Sequence, residues 1–454
     1  MKLLRLKRGI LVSLSAAVFL LFGVFAGPVP AQQGPGDDGP HPIDAGLRAK
    51  VIDSVAAALN KTYVFPETAR DMEKLMRRKL KKKEYDTLDT YDAFTRQLTE
   101  DMRSVSHDLH LWVQPFWELP AERTDTLTDK EQEEQALEQA RYRNFGFEKI
   151  ERLPGNIGYI DLRGFADAKY GGPTAIAAMQ MMAYCDGVII DLRRNGGGSP
   201  SMIQLLSSYF FDETVHLNSF YIRETDSIQQ FWTQANVPGP KLVDKPLYLL
   251  TSDYTFSAAE EFTYNMKNLE RAFIVGDTTG GGAHPVNMKI FYDIHIRLKL
   301  PFGRAINPIS GTNWEGTGIT PHLVVPSDQA LDVAHKGLLD TLLQTVDHPL
   351  KRQVIEWTRD GLAARINPVK VTARQMKEYS GTFGPRVITV EDGKLYYQRN
   401  ENPHYQLIPM AKDMFMIEEL DYFRVKFERD KTGKVVKIIG LYDNGHTDEH
   451  ERSI

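Results

Sequence analysis

Between Asn156 and Gly276 the chain repeats one local pattern, and that pattern leaves few folds open to it. Four short apolar runs (Asn156 to Leu162, Asp186 to Leu192, Lys245 to Thr251 and Ala272 to Gly276) alternate with helical stretches at Thr174 to Ala183, Ser201 to Phe211 and Ala258 to Leu269. Short continuous apolar runs separated by helices read as buried parallel strands with crossover helices, that is, an α/β layer. Lys289 to Leu300 alternates apolar and polar residues without Gly or Pro, which predicts one long, half-exposed strand.

The flanks differ in kind. From Ile43 to about Arg103 apolar residues recur at helical spacing, as in Leu47, Val51, Val55 and Leu59, and predict a small helical bundle. Leu109 to Phe116 reads as a strand, and Glu118 to Gln139 as a charged surface helix or loop. Ala330 to Ala364 reads as two amphipathic helices broken at Pro349. From about Val371, short alternating segments are punctuated by Gly381, Gly384, Asp392-Gly393 and Asn444-Gly445, which predicts a small β-barrel or sandwich. The expected division is 1–31 targeting, 32–42 linker, 43–112 helical subdomain, 113–150 connection, 151–345 core, 346–370 helical linker and 371–454 β domain.

The first 31 residues combine Lys2, Arg5, Lys7 and Arg8 with an apolar run to Ala26 and the small residues of Val29-Pro-Ala31. This is the pattern of a signal peptide cleaved near Ala31, with an uncleaved anchor as the alternative. It predicts a periplasmic or secreted protein. Gly34-Pro-Gly36-Asp-Asp-Gly39 matches a dinucleotide fingerprint in form only, since no strand precedes it. A net charge of −5 gives no reason to expect nucleic acid as a partner. Cys185 is the one cysteine, so no intrachain disulfide forms, and its apolar setting predicts a small buried hydrophobe. No Cys/His cluster suggests a metal, and no cofactor motif is present.

The chemistry concentrates in the loops that end the apolar runs. Ser257, in Thr251-Ser-Asp-Tyr-Thr-Phe-Ser257-Ala-Ala-Glu, stands between a buried strand and a helix N-terminus, where unpaired N–H groups point outward. Such donors stabilise an oxyanion beside a nucleophilic serine; a plain helix cap is the alternative. Asp191-Leu-Arg193-Arg-Asn195-Gly-Gly-Gly198 and Gly276-Asp-Thr-Thr-Gly280-Gly-Gly282-Ala-His284 bring backbone close to any ligand there. Ser106-His107-Asp108-Leu-His110 and Asn313-Trp-Glu315-Gly-Thr-Gly318 complete the set. Gly-x-Ser-x-Gly, Ser-x-x-Lys and His-Glu-x-x-His are all missing, which removes the main signals of three other hydrolase classes.

In this order the five motifs resemble the S41 family of serine peptidases, from His110 to about Pro326. The resemblance implies a crotonase-like α/β core and an acyl-enzyme mechanism acting on peptides or unfolded protein segments. The tail-specific branch carries a lysine where this chain has Gly282, and too few residues lie between His110 and Gly155 for the PDZ domain of that branch. The tricorn-like branch instead matches His110 as base and Glu315 as its carboxylate. It implies an oxyanion hole from Ala258 with Gly197 or Gly198, and makes Gly196, Gly281 and His284 candidate substrate contacts. His284 and His107 are rivals for the base, and Asp108 is a rival orienter, because Leu109 stands where that branch has a bridging serine. Relatives resembling the interphotoreceptor retinoid-binding proteins carry ligands on the same scaffold, so a non-catalytic binding protein is the alternative, and a homo-oligomer is left open.

Overall fold

The computed structural model describes residues 40–117 and 129–453. The targeting segment and the Gly34 to Gly39 run lie outside the described residues. Among the described residues no helix is long and apolar enough to cross a membrane.

Three helices open the described residues, α1 (Ala45–Thr62), α2 (Pro66–Lys81) and α3 (Tyr91–Ser106). Asp44 caps α1 by accepting from Leu47 N at 2.7 Å, Pro66 starts α2 where a missing N–H costs nothing, and Thr90 caps α3. Their apolar stripes (Val51, Val55, Met72, Phe94, Leu98) form one core with β1 (Trp112–Pro115). A surface helix, α4 (Asp129–Tyr142), follows.

The centre is a six-stranded sheet. β2 (Phe147–Leu153) is its antiparallel edge, and β3 (Ile157–Leu162) and β4 (Gly187–Asp191) run parallel, joined by α5 (Ala168–Met182). After α6 (Pro200–Ser208) comes a hairpin that no sequence signal announced, β5 (His216–Ile222) and β6 (Ser227–Trp232). The chain then returns to the sheet with β7 (Leu247–Thr251), α7 (Ala258–Asn268) and β8 (Phe273–Gly276). Helices α5, α6 and α7 cover one face, where Ile190, Leu249, Phe262 and Met266 are buried.

Lys289 to Leu300 is not a single strand. It is the hairpin of β9 (Val286–Phe291) and β10 (Ile296–Pro301), pairing Phe291 with Ile296. The turn contains Tyr292–Ile294 and a left-handed His295 (φ 48°), so it reverses the chain without the Gly or Pro that marks most turns. β1 pairs with β10, tying the helical region to this hairpin, and β11 (Gly303–Ile306) pairs with β5. β12 (Leu323–Val324) completes the central sheet in the order β12-β8-β7-β4-β3-β2. Its other face is covered by α8 (Ala330–Leu343), with α9 (Pro349–Ile366) packed outside.

After α10 (Ala373–Tyr379) come eight consecutive antiparallel strands: β13 (Gly381–Phe383), β14 (Arg386–Glu391), β15 (Lys394–Arg399), β16 (Tyr405–Ala411), β17 (Met414–Ile417), β18 (Phe423–Arg429), β19 (Val435–Tyr442) and β20 (Thr447–Glu451). A bridge from Phe383 to Arg452 and the bond from Ser453 N to Thr382 O (2.8 Å) join the ends, making a closed barrel. Closure removes both exposed edges. Phe383, Phe415, Phe427 and the fully buried Arg386 fill the interior. The guanidinium of Arg386 donates to Asp448 and to the Tyr397 hydroxyl. α9 holds the barrel through Trp357 Nε1 to Asp421 O at 2.7 Å.

Candidate active site

The Gly-rich loops leave the carboxyl ends of parallel strands β4 and β8, and the Ser257 loop that of β7 between them, the edge of an α/β sheet where ligands bind. After β7 the chain reaches Ser257 at φ 57° and ψ −122°. A side chain in that region of backbone space stores roughly 1–3 kcal/mol of strain, which persists only where the surroundings over-determine it. They do so here. Thr255 Oγ1 donates to Leu192 O, Phe256 N to Asn195 O and Gly280 N to Thr255 O. The fully buried Glu260 then accepts from Ser257 N (2.9 Å), Thr279 Oγ1 (2.5 Å), Gly281 N (2.7 Å) and Gly282 N (2.8 Å). Burial pushes the Glu260 carboxyl up, against those four donors. Its role was missed in the sequence, although Ser257-Ala-Ala-Glu260 has the spacing of a capping box.

Gly197 approaches this elbow so closely that a Cβ there would lie 2.8 Å from Ser257 Cβ and 3.0 Å from Ala258 N. Its φ of 111° also suits glycine. The Gly197 N–H is occupied, donating to Asn195 Oδ1 at 2.9 Å. Of the two glycines expected at the oxyanion position, this leaves Gly198, whose N–H, like that of Ala258, has no backbone or side-chain acceptor among the described residues. Gly281 spends its N–H on Glu260. Asp191, in the same motif, is structural: its carboxylate takes the Arg193 guanidinium at 2.5 and 2.9 Å and the Tyr159 hydroxyl at 2.7 Å. Cys185 is 2% exposed, and burial raises its thiol.

His110 reaches the site from the loop after α3, which Arg103 pins by donating to Leu109 O and Leu111 O. The ring is 1% exposed and packs on Phe256 with centroids 4.7 Å apart. Both ring nitrogens are buried without a hydrogen-bond partner, so the imidazole is not bonded to Ser257 in this structure. Burial, then the charge of Lys299, pushes its pKa down to about 3. The ring is therefore neutral near pH 7, the form a base needs. His107 lies on the surface as the left-handed cap of α3.

His284, a candidate substrate contact and rival base in the sequence, instead binds a carboxylate. Its Nδ1 lies 2.7 Å from Asp108 Oδ2 and 3.5 Å from Glu315 Oε2. Asp108 also accepts from His110 N (3.0 Å) and the Tyr63 hydroxyl (3.2 Å). Burial lowers His284, but the bond to Asp108 outweighs it and the net shift is upward. Glu315 Oε2 accepts from Ala283 N (2.6 Å) and His284 N (3.2 Å), while its Oε1 is buried without a partner. Burial and the Asp108 charge push Glu315 up to about 7. Trp314 anchors this loop by donating to Gly282 O at 2.9 Å. Asp108, His110 and Glu315 each bring one ligand atom within 4.8 Å of the others, a three-donor group that sequence spacing could not show.

The structure thus brings together Ser257, Ala258, Gly198, His110, Glu315 and His284, with Asp108 between the histidines. Among family models, that of peptidase family S41 matches residues 156–325, spanning the serine and both central Gly-rich loops. A second, described as the N-terminal domain of peptidase S41 in eukaryotic IRBP, matches residues 47–143, which includes His110. Over these two segments the chain matches peptidase family S41. A carboxy-terminal-processing protease of Bartonella bacilliformis is 29% identical over 195 residues, 42% of this chain and 43% of that protein. The chain therefore spans less than half the length of this S41 relative. A putative peptidase from Parabacteroides merdae is similar at 18% identity and a TM-score of 0.47, over 67% of this chain and 100% of that one. The tricorn protease is similar at 13% identity and a TM-score of 0.43, over 66% of this chain and 37% of that one.

Proposed function

We propose that this chain is an exported serine peptidase with a crotonase-like core, cleaving peptides or unfolded protein segments through an acyl-enzyme. The observation that carries this reading is Ser257 itself. It is a half-buried serine held at φ 57° at the head of α7, between two N–H groups without acceptors among the described residues.

Ser257 Oγ attacks the scissile carbonyl carbon while His110 takes its proton. The oxyanion lies between the N–H groups of Ala258 and Gly198, each worth roughly 3–4 kcal/mol in the transition state. His110 then protonates the leaving amine as the C–N bond breaks, and water, deprotonated by the same ring, hydrolyses the ester. Glu315 and Asp108 hold the imidazolium. The His110–Ser257 bond forms when substrate fills the cleft, as catalytic hydrogen bonds often do. The basic, apolar N-terminus supports export, and the lack of room at Gly282 for any side chain supports a histidine rather than a lysine base.

Digestion of an unstructured protein, followed by mass spectrometry, tests this. Cleavage by the wild type and none by Ser257→Ala is the expected outcome. Cleavage at equal rates by both proteins would sink the reading.

A further inference from the structure

Three side chains able to ligate a metal meet in the site: Asp108, His110 and Glu315. Both ring nitrogens of His110 and Oε1 of Glu315 are buried and unpartnered, and one ligand atom from each of Asp108, His110 and Glu315 lies within 4.8 Å of the other two. A serine relay needs one nitrogen facing the serine and one acid facing the other nitrogen. Here Asp108 and Glu315 converge on the His110 ring as well as on His284, and the His110 ring, with neither nitrogen bonded, leaves a lone pair open to a cation.

We propose that Asp108, His110 and Glu315 bind one divalent ion of the zinc class, and that this ion holds the site inactive. The binding stands on geometry alone; the inactivation rests on the peptidase reading above. One imidazole nitrogen with two carboxylate oxygens suits a borderline ion such as Zn²⁺ rather than Ca²⁺ or Mg²⁺, which favour oxygen donors. The ligands already have the outer support that metal sites require. Asp108 is fixed by the Tyr63 hydroxyl (3.2 Å) and His284 Nδ1 (2.7 Å), and Glu315 Oε2 by two backbone N–H groups, leaving Oε1 free. A tetrahedral ion with bonds of about 2.0–2.2 Å holds its ligand atoms roughly 3.4 Å apart, so capture draws the three inward by about an ångström. Glu315, with its side chain 15% exposed, is the most exposed of the three ligands. An ion seated on a His110 nitrogen takes the lone pair that must accept the Ser257 proton. Metal and turnover therefore exclude each other.

The test uses the whole protein stripped with a chelator, titrated with Zn²⁺ by calorimetry and with Co²⁺ by visible absorption. One equivalent should bind, with a tetrahedral Co²⁺ spectrum. His110→Gln and Glu315→Gln, each checked for folding by circular dichroism, should weaken binding by at least about a hundredfold, the upper end for loss of a supporting group alone. Zn²⁺ should also slow fluorophosphonate labelling of Ser257, reversibly with chelator. No stoichiometric uptake by the wild type overturns the site, and so does undiminished binding by folded His110→Gln or Glu315→Gln, which would assign the ion to surface histidines. Metal uptake is read without turnover, so failure of the peptidase reading leaves it standing. A labelled, active enzyme indifferent to Zn²⁺ overturns the metal proposal alone.

Discussion

Asp108 and His284, 176 residues apart in the chain, are joined by a 2.7 Å contact in which both side chains are almost wholly buried. Burial opposes the charge on each, yet their contact holds His284 above and Asp108 below the ordinary value, so each partner favours the charged form of the other. It ties the helical region to the loop after β8, and thereby fixes where His110 sits relative to Ser257.

Asp108→Asn leaves the buried His284 ring without its carboxylate. Removing one partner of a buried pair costs about 3–5 kcal/mol, and urea denaturation at pH 7 should show a loss of that order. A loss below about 1 kcal/mol would mean that the pair contributes nothing net, as exposed pairs often do.

Gly282→Ala places a Cβ 2.2 Å from Phe256 Cζ and 2.8 Å from His110 Cε1. The expected cost is about 1–3 kcal/mol of overpacking, with peptide hydrolysis reduced at least tenfold because the base is displaced. Phe256→Leu in the same background should recover stability. Unchanged stability of the single variant contradicts the packing described here.

Glu261, in α7, is buried with Oε1 unpartnered, and burial pushes its carboxyl up to about 7. A raised carboxyl favours the fold below its ordinary value of about 4.5 and loses that contribution as pH rises through 7. Glu261→Gln should thus stabilise the protein at pH 8 by up to roughly 3 kcal/mol relative to wild type, and hardly at all at pH 4. Thermal melts at the two pH values decide it. An equal effect at both leaves the raised carboxyl without support.

What the sequence disclosed and withheld follows the range of the interactions. Ser257 and its helix were legible because strand, cap and helix are local patterns. The helices at Ala330 and Pro349 were legible for the same reason. The β9–β10 hairpin was not, because His295 turns the chain in a conformation its side chain does not advertise. Closure of the barrel depends on Phe383 meeting Arg452, and the link between the histidines on a contact across 176 residues. Periodicity carries neither. The occupied Gly197 N–H was likewise invisible, since it depends on which way the Asn195 amide turns.

The most direct test of the central claim is fluorophosphonate labelling of the mature protein, read by intact mass and by peptide mapping. One adduct on Ser257, lost in Ser257→Ala and slowed at least about a hundredfold in His110→Ala, is the predicted result. A folded wild type that takes no label after treatment with chelator, or one labelled equally fast without His110, contradicts it.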